Sequence, residues 1–401
     1  MREPIHQSSH VGSAGGAGAV GFDEIRGEFP MLDKMIYLNT AANGLIPERG
    51  RIVLESFFRE AQYLEGLARA GAFEALAETR QEAATLLDCD AAAIALTFNT
   101  SHGLNVAANT LSYEPGDNVV LAHGEFPANV YPWLNLESRG VEVRLIECGL
   151  RADAEALLAA CDARTRVVAV SMLQFHDGYR PDVQLLAQRC RERGIRTVAD
   201  GIQAIGCTVV RPQALGLDFV ATGGQKWLLS PRGTGLLYVR PDLIPELQTP
   251  ILGWLNVDYE GRFDSLLRYP RTLFADARRF ELGTPNLHDI LVLRESLRLL
   301  NELGIERIEE HNLHLAEMLR TGLEAIDAVR LRAAGPRPSP IVSFELADAA
   351  RVELVREALA RARVHCAFRE GRFRMAVHLY NRAADVERTL ESVRESASGG
   401  P

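Results

Sequence analysis

The stretch Phe219-Val220-Ala221-Thr222-Gly223-Gly224-Gln225-Lys226-Trp227-Leu228 decides how the rest of the chain is read. An apolar run ends in a polar turn, and the turn holds a lysine. Lys34 and Lys226 are the only lysines among 44 lysines and arginines, so arginine stands almost everywhere a generic cation would serve. A lysine kept against that bias marks a place where guanidinium fails. Guanidinium stays charged in proteins, whereas an amine can lose its proton and become a nucleophile. Upstream, Thr197-Val198-Ala199-Asp200-Gly201-Ile202-Gln203 repeats the arrangement with an acid, a strand-like run that ends in Asp200.

Working outward, short apolar runs alternate with helical stretches from about residue 35 to 240. The runs are Ile94–Leu96, Val119–Leu121, Val141–Ile146, Val167–Ser171, Thr197–Ala199, Phe219–Ala221 and Gly235–Val239. Alternation of this kind predicts an α/β fold, a mainly parallel sheet of about seven strands covered by helices on both faces. Ligands in such sheets lie at the carboxyl ends of the strands, where Asp200 and Lys226 fall. The character changes after about residue 270. A helical region over Leu287–Ile326 is followed by strand-like Val329–Ala333 and Pro340–Glu345, a helix over Asp348–Arg361, strand-like Arg374–Leu379 and a helix over Ala383–Glu395. The division expected is a disordered tail over 1–21, a large cofactor-binding domain over 22–270, a smaller α+β domain over 271–395 and a tail over 396–401.

The 401 residues are 47% hydrophobic and 24% charged, an ordinary globular balance. Net charge is −9 without a basic block, which disfavours nucleic acid and anionic membrane as partners. No apolar run is long enough to span a bilayer, and the Gly/Ser/Ala-rich start lacks the hydrophobic core of an export signal. The six cysteines form no Cys-x-x-Cys pair and no zinc-type cluster, so reduced thiols, a cytoplasmic location and no metal site are expected.

Four further stretches carry chemistry. Leu96-Thr97-Phe98-Asn99-Thr100-Ser101-His102-Gly103-Leu104-Asn105 reads as strand end, turn and helix start, where free N–H groups and the hydroxyls of Thr100 and Ser101 favour an anion. Gly124-Glu125-Phe126-Pro127-Ala128-Asn129 offers Phe126 to the face of a planar group. Arg279-Phe280-Glu281-Leu282-Gly283-Thr284-Pro285-Asn286 is a turn that presents the Thr284 hydroxyl. Arg374 opens a C-terminal strand and is suited to clamp a carboxylate. Asp200 beside a pyridine nitrogen, Gln203 beside a phenolic oxygen, Lys226 at an aldehyde and Thr100 at a phosphate together describe one ligand, pyridoxal 5′-phosphate (PLP).

In this order the motifs resemble the class V aminotransferase-like group of fold-type I PLP enzymes, which includes cysteine desulfurases, kynureninases and isopenicillin N epimerase-like proteins. The resemblance covers nearly the whole chain from Phe22 onward. It implies Lys226 as Schiff-base lysine, Asp200 as pyridinium partner, Gln203 at the phenolic oxygen, Phe126 stacked on the ring, and Thr100 and Ser101 on the phosphate. It further implies Thr284 as a phosphate ligand reaching across from a second subunit of a homodimer with shared active sites. Arg374 and Asn39, the latter in Tyr37-Leu38-Asn39-Thr40-Ala41-Ala42, are expected at the amino-acid substrate.

The departures matter as much. Gly223-Gly224-Gln225-Lys226 replaces the Ser-x-His-Lys of many relatives, His102 replaces a common acid, and Phe175 stands where desulfurases often have Asn. The loop before Arg374, Ala367–Phe373, has no cysteine, and Cys366 ends the preceding strand-like segment. The expected reaction is therefore β-elimination from an α-amino acid, of the C–S lyase type, without a cysteine nucleophile. Epimerisation and transamination are the alternatives within the same chemistry. A degenerate sulfur-trafficking partner is the non-catalytic alternative. A nucleotide-binding protein is disfavoured, since no Gly-x-Gly-x-x-Gly or Walker-type loop is present.

Overall fold

A computed structural model describes residues 21–62, 69–148, 153–260, 267–332 and 335–398. The expected N-terminal tail thus lies almost wholly outside the described residues. Thirteen strands are named in chain order. After the two-residue β1 (Ile36–Tyr37) come β2 (Ile94–Thr97), β3 (Asn118–Ala122), β4 (Glu142–Ile146), β5 (Thr165–Ser171), β6 (Arg196–Asp200), β7 (Phe219–Gly223) and β8 (Gly235–Val239). The C-terminal part adds β9 (Val329–Leu331), β10 (Ile341–Leu346), β11 (Val364–His365), β12 (Ala367–Arg369) and β13 (Arg372–Ala376).

The central sheet has seven strands in the order β2-β8-β7-β6-β5-β3-β4. Only β8 runs against the others, pairing antiparallel with β2 and β7. Successive residues of each strand point to opposite faces, and both faces are buried. One face (Leu96, Val120, Val168, Val170, Ala199, Val220) packs with Leu87, Leu186, Leu293, Leu297 and Leu300. The other (Ala95, Val119, Leu121, Ala169, Val198, Phe219) packs with Leu104, Ala107, Ala108 and Trp133. The helix Thr100–Thr110 lies close against β7, because a Cβ on Gly103 would stand 2.8 Å from that of Ala221. That contact brings the helix N-terminus alongside the strand end that leads into Lys226.

The C-terminal unit is a four-stranded antiparallel sheet, β12-β13-β10-β9, covered by helices. Its core joins Leu315, Leu319, Phe344, Val355, Phe373, Met375 and Val386 to Ile36 and Leu38 from the start of the chain. β1 lies parallel to β11, and Asn39 bridges to Ala376, so the N-terminal segment is built into this unit.

Several expectations change in detail. The single helical region over Leu287–Ile326 is two helices, Leu287–Leu303 and Ile305–Glu324, broken at Gly304. The first packs with the large sheet and the second with the small one. The last helix, Ala383–Ser398, runs on through residues expected to be tail. The segment Ala367–Phe373 is a tight hairpin of β12 and β13 rather than a loop. Its two turn residues, Glu370 and Gly371, have φ of 51° and 78°, the pattern of a type I′ turn.

Candidate active site

A cavity of about 310 Å³ opens at the carboxyl ends of the strands. It gathers Thr100, Ser101, Phe126, Asp200, Gln203, Lys226 and Arg374, all named from the sequence. Asn39 and Thr284 are not among its lining residues. Asn39 is held by its backbone bridge to Ala376, with Nδ2 3.4 Å from His365 Nε2, and its neighbours Ala41 and Ala42 line the cavity instead. Thr284 sits exposed on its turn. Lys34, the other lysine, is also exposed.

Asp200 is the last residue of β6 and is 2% exposed, with Oδ1 accepting a 2.9 Å hydrogen bond from the Ile202 N–H. Burial raises its pKa, against the lowering effects of that N–H and of Lys226. Lys226 is 9% exposed, and burial lowers its pKa. Asp200 opposes that shift, while Arg374 and Arg369 add to it. An amine so placed gives up its proton more readily than a free lysine. Gln203 is fixed at both ends, its Oε1 accepting from Trp227 Nε1 at 2.8 Å and its Nε2 donating to the Ala41 carbonyl at 3.0 Å.

Of the aromatics in the turn after β3, Trp133 packs inward fully buried while Phe126 faces the cavity. The Lys226 Nζ lies 5.5 Å from the centre of the Phe126 ring. Phe126 meets Phe175 edge to face at 5.2 Å, and the Phe175 carbonyl accepts a 2.6 Å bond from Arg374 Nη1. Arg374 is 7% exposed and its buried Nε has no partner among the described residues. Burial, with help from Arg369, lowers its pKa to about 10, which still leaves it charged at neutral pH.

Behind this wall stands Glu125, whose part the sequence reading missed. Its carboxylate accepts from the Ser171 N–H (2.9 Å), the Ser171 hydroxyl, Gln174 Nε2 (2.9 Å) and Asn129 Nδ2 (3.1 Å). It thereby ties the turn carrying Phe126 to the end of β5 and to the turn carrying Phe175. Burial raises its pKa against the pull of these donors.

The residues present fit PLP. The Thr100 hydroxyl is buried without a partner among the described residues, at the start of an 11-residue helix, as a phosphate ligand would be. Asp200 would offer a carboxylate to a pyridinium N–H, and Lys226 an amine to a carbonyl carbon. At the glycine that departs from Ser-x-His-Lys, a Cβ on Gly223 would meet the movable end of the Gln225 side chain and, at 3.2 Å, the Thr100 hydroxyl. Gln225 lines the cavity in its place. His102, a second departure, is turned back on its own helix start, its Nδ1 3.3 Å from the Phe98 N–H and its ring stacked on Phe98. Arg232 and Arg369 also line the cavity and were not singled out from the sequence. Among the described residues no cluster of His, Cys, Asp and Glu is placed to hold a metal, and no helix is long and apolar enough to cross a membrane.

Comparison with known proteins places this geometry. A probable cysteine desulfurase of Methanothermobacter thermautotrophicus is 28% identical, over 94% of this chain and 98% of that one. An uncharacterized aminotransferase of Schizosaccharomyces pombe is 30% identical, over 79% of this chain and 81% of that one. Among solved structures, the cystine C–S lyase C-DES in complex with its product cysteine persulfide superposes with a TM-score of 0.82 at 22% identity, covering 93% of this chain and all of that one (100%). The aminotransferase class-V family matches residues 36–389. A match of that extent establishes the family, and the chain belongs to the aminotransferase class-V group of PLP-dependent enzymes.

Proposed function

We propose that this enzyme is a lyase that cleaves the Cβ–S bond of a cysteine-type α-amino acid by β-elimination, without an enzyme thiol. The observation that carries the reading is the make-up of the cavity: an amine, an acid and a buried guanidinium converge there, and no cysteine is among its lining residues. Cys366 packs against the C-terminal core, and burial pushes its thiol pKa up to about 12. A thiol so held is a poor nucleophile at neutral pH. The likeness to a cystine C–S lyase supports the same reading.

PLP, when bound, supplies a carbonyl carbon for the amino group and a ring that draws electrons from Cα. The chain supplies the rest. Arg374 holds the α-carboxylate and sets which Cα substituents face Lys226. The Lys226 amine, its basicity lowered by burial, takes the Cα proton. Asp200 keeps a proton on the pyridine nitrogen through a charge-assisted hydrogen bond. Phe126 and Phe175 keep water from that side of the reacting atoms. Thr284, on its exposed turn, serves the cavity of a second subunit in a cytoplasmic homodimer.

Persulfide-forming desulfuration is the second reading, favoured by the cysteine desulfurase relative. One experiment separates the two. The enzyme and its Cys366→Ser variant are incubated with cysteine and S-substituted cysteines, following pyruvate, released sulfide or thiol, and solvent deuterium at Cα. The lyase reading expects pyruvate and thiol in equal amounts from both proteins. An inactive Cys366→Ser variant, with persulfide accumulating on Cys366 of the unmodified enzyme, overturns it. Deuterium exchange without pyruvate points to epimerisation. Thr284→Val is expected to bind PLP several-fold more weakly while sedimenting as a dimer, and a fully active monomer removes the shared-site proposal.

A further inference from the structure

Several partly or fully buried arginines of this protein are met by carboxylates: Arg80 by Glu281, Arg26 by Asp385, Arg240 by Asp218. Two arginines of the cavity are not. Arg369 and Arg374 both line it, and neither has a carboxylate partner among the described residues. Their placement follows from the hairpin register. Arg374 on β13 stands opposite Ala367 on β12, and Arg369 lies two residues along β12 from Ala367. Residues two apart on a strand share a face, so the two arginines are diagonal neighbours across the hairpin, about 7–8 Å apart, while Arg372, directly opposite Arg369, is met by Glu345. They differ in depth: Arg374 is buried with a free Nε, and Arg369 is exposed toward the hairpin tip.

Two like charges set side by side repel, and the Arg374 pKa is lowered first by burial and further by Arg369. Such an arrangement gains stability only when anions lie between or beside the guanidinium groups.

We propose that the substrate is an α-amino acid whose side chain itself ends in a carboxylate, with Arg374 taking the α-carboxylate and Arg369 the distal one. This rests on the lyase reading for its chemistry and on the hairpin geometry for its selectivity. For an S-carboxyalkyl cysteine the balance is simple. Lys226 removes the Cα proton, the Cβ–S bond breaks with its electron pair on sulfur, and the thiolate leaves carrying the distal carboxylate. Water then completes release of pyruvate and ammonia, with no oxidant or reductant.

The test uses the PLP-loaded enzyme with S-carboxymethyl-L-cysteine and its near-isosteric amide, S-carbamoylmethyl-L-cysteine, following pyruvate. The acid is expected to have a kcat/KM about tenfold higher than the amide, and Arg369→Gln is expected to bring the ratio to within about twofold of unity. The proposal is overturned if the enzyme shows no preference, or if Arg369→Gln lowers both substrates in parallel, which would place Arg369 on the α-carboxylate. If neither compound yields pyruvate, the lyase reading fails while the charge argument is still decided. Calorimetric titration with L-glutamate and L-glutamine then reads it: tighter glutamate binding that is lost in Arg369→Gln upholds the distal site, and equal binding ends it.

Discussion

The floor and the rim of the cavity are built from different materials. On the floor, Asp200 ends a central strand, Lys226 follows another, and Thr100 begins a helix pressed against that second strand. Asp200 and Gln203 are nearly inaccessible and hydrogen-bonded to backbone or to a buried indole. On the rim, Arg369 stands on a three-residue strand of a small hairpin and Arg232 on the turn after Lys226, both exposed. Parts fixed by the sheet set the reaction, because proton transfer depends steeply on position. Parts on a hairpin and turns can change without disturbing the sheet, so selectivity belongs there.

The widest gap between the two regions is expected at Lys226. Lys226→Ala should lower turnover on the order of 10²–10⁴-fold or more, and borohydride treatment should no longer leave cofactor attached to the protein by mass spectrometry. A variant still attached to the cofactor would place the reactive amine elsewhere. Asp200→Asn comes next, with a loss of about 10²–10³-fold from removing a charge preorganised toward the ring.

Asp200 also gives a signed pH effect in cofactor-free protein. Its folded pKa is raised, so between an ordinary carboxylate pKa near 4 and the raised value the folded state holds more protons than the unfolded state. Stability should therefore fall as pH rises through that window, and less so in Asp200→Asn. Urea midpoints from pH 4 upward measure it, and parallel curves for the two proteins would remove Asp200 as the source.

Glu125 joins floor to rim. Glu125→Ala leaves the donors of Ser171, Gln174 and Asn129 facing a void, and should cost about 2–4 kcal/mol in urea unfolding. A loss below about 0.5 kcal/mol would mean these donors find other partners. The smallest effect is on the rim itself. Gly371→Ala meets no neighbouring atom but requires φ of 78°, and should cost about 1 kcal/mol. Urea unfolding measures that cost, and activity measured alongside should fall far less than in Lys226→Ala.

The floor was legible in the sequence and the rim was not, for the same physical reason. Strand ends in an α/β sheet are visible as apolar runs that stop, and the residues that follow, Asp200 and Lys226, are thereby placed at the ligand end before any coordinates exist. Lys226 had a further signal in the scarcity of lysine. Arg369 had none, because one arginine in an arginine-rich chain looks like any other, and its meaning lies in a hairpin register. The hairpin was itself hidden: β12 has only three residues, and Glu370 takes a positive φ where Asn or Asp would have announced the turn. Glu125 was quoted in a motif and passed over, since a carboxylate beside a strand end reads as solvated until its four donors are seen. The break at Gly304 was available in Leu303-Gly304-Ile305 but was submerged in the leucine periodicity on either side.

The pairing of β1 with β11 has a consequence for how the molecule is made. Ile36 and Tyr37 leave the ribosome early, yet their strand partner and the Ala376 bridge of Asn39 come from near the end of the chain. The segment that supplies Ala41 and Ala42 to the cavity wall meets Gln203 and Gln225 from the middle of the chain, but gains its strand partner only near the end of synthesis. β2 waits likewise for β8 before it can join the sheet. Contacts this distant in sequence are slow to close and form late. Cofactor capture is thus a reporter on the completed chain, and a truncated or stalled product can carry Lys226 and Asp200 without holding the pocket they belong to.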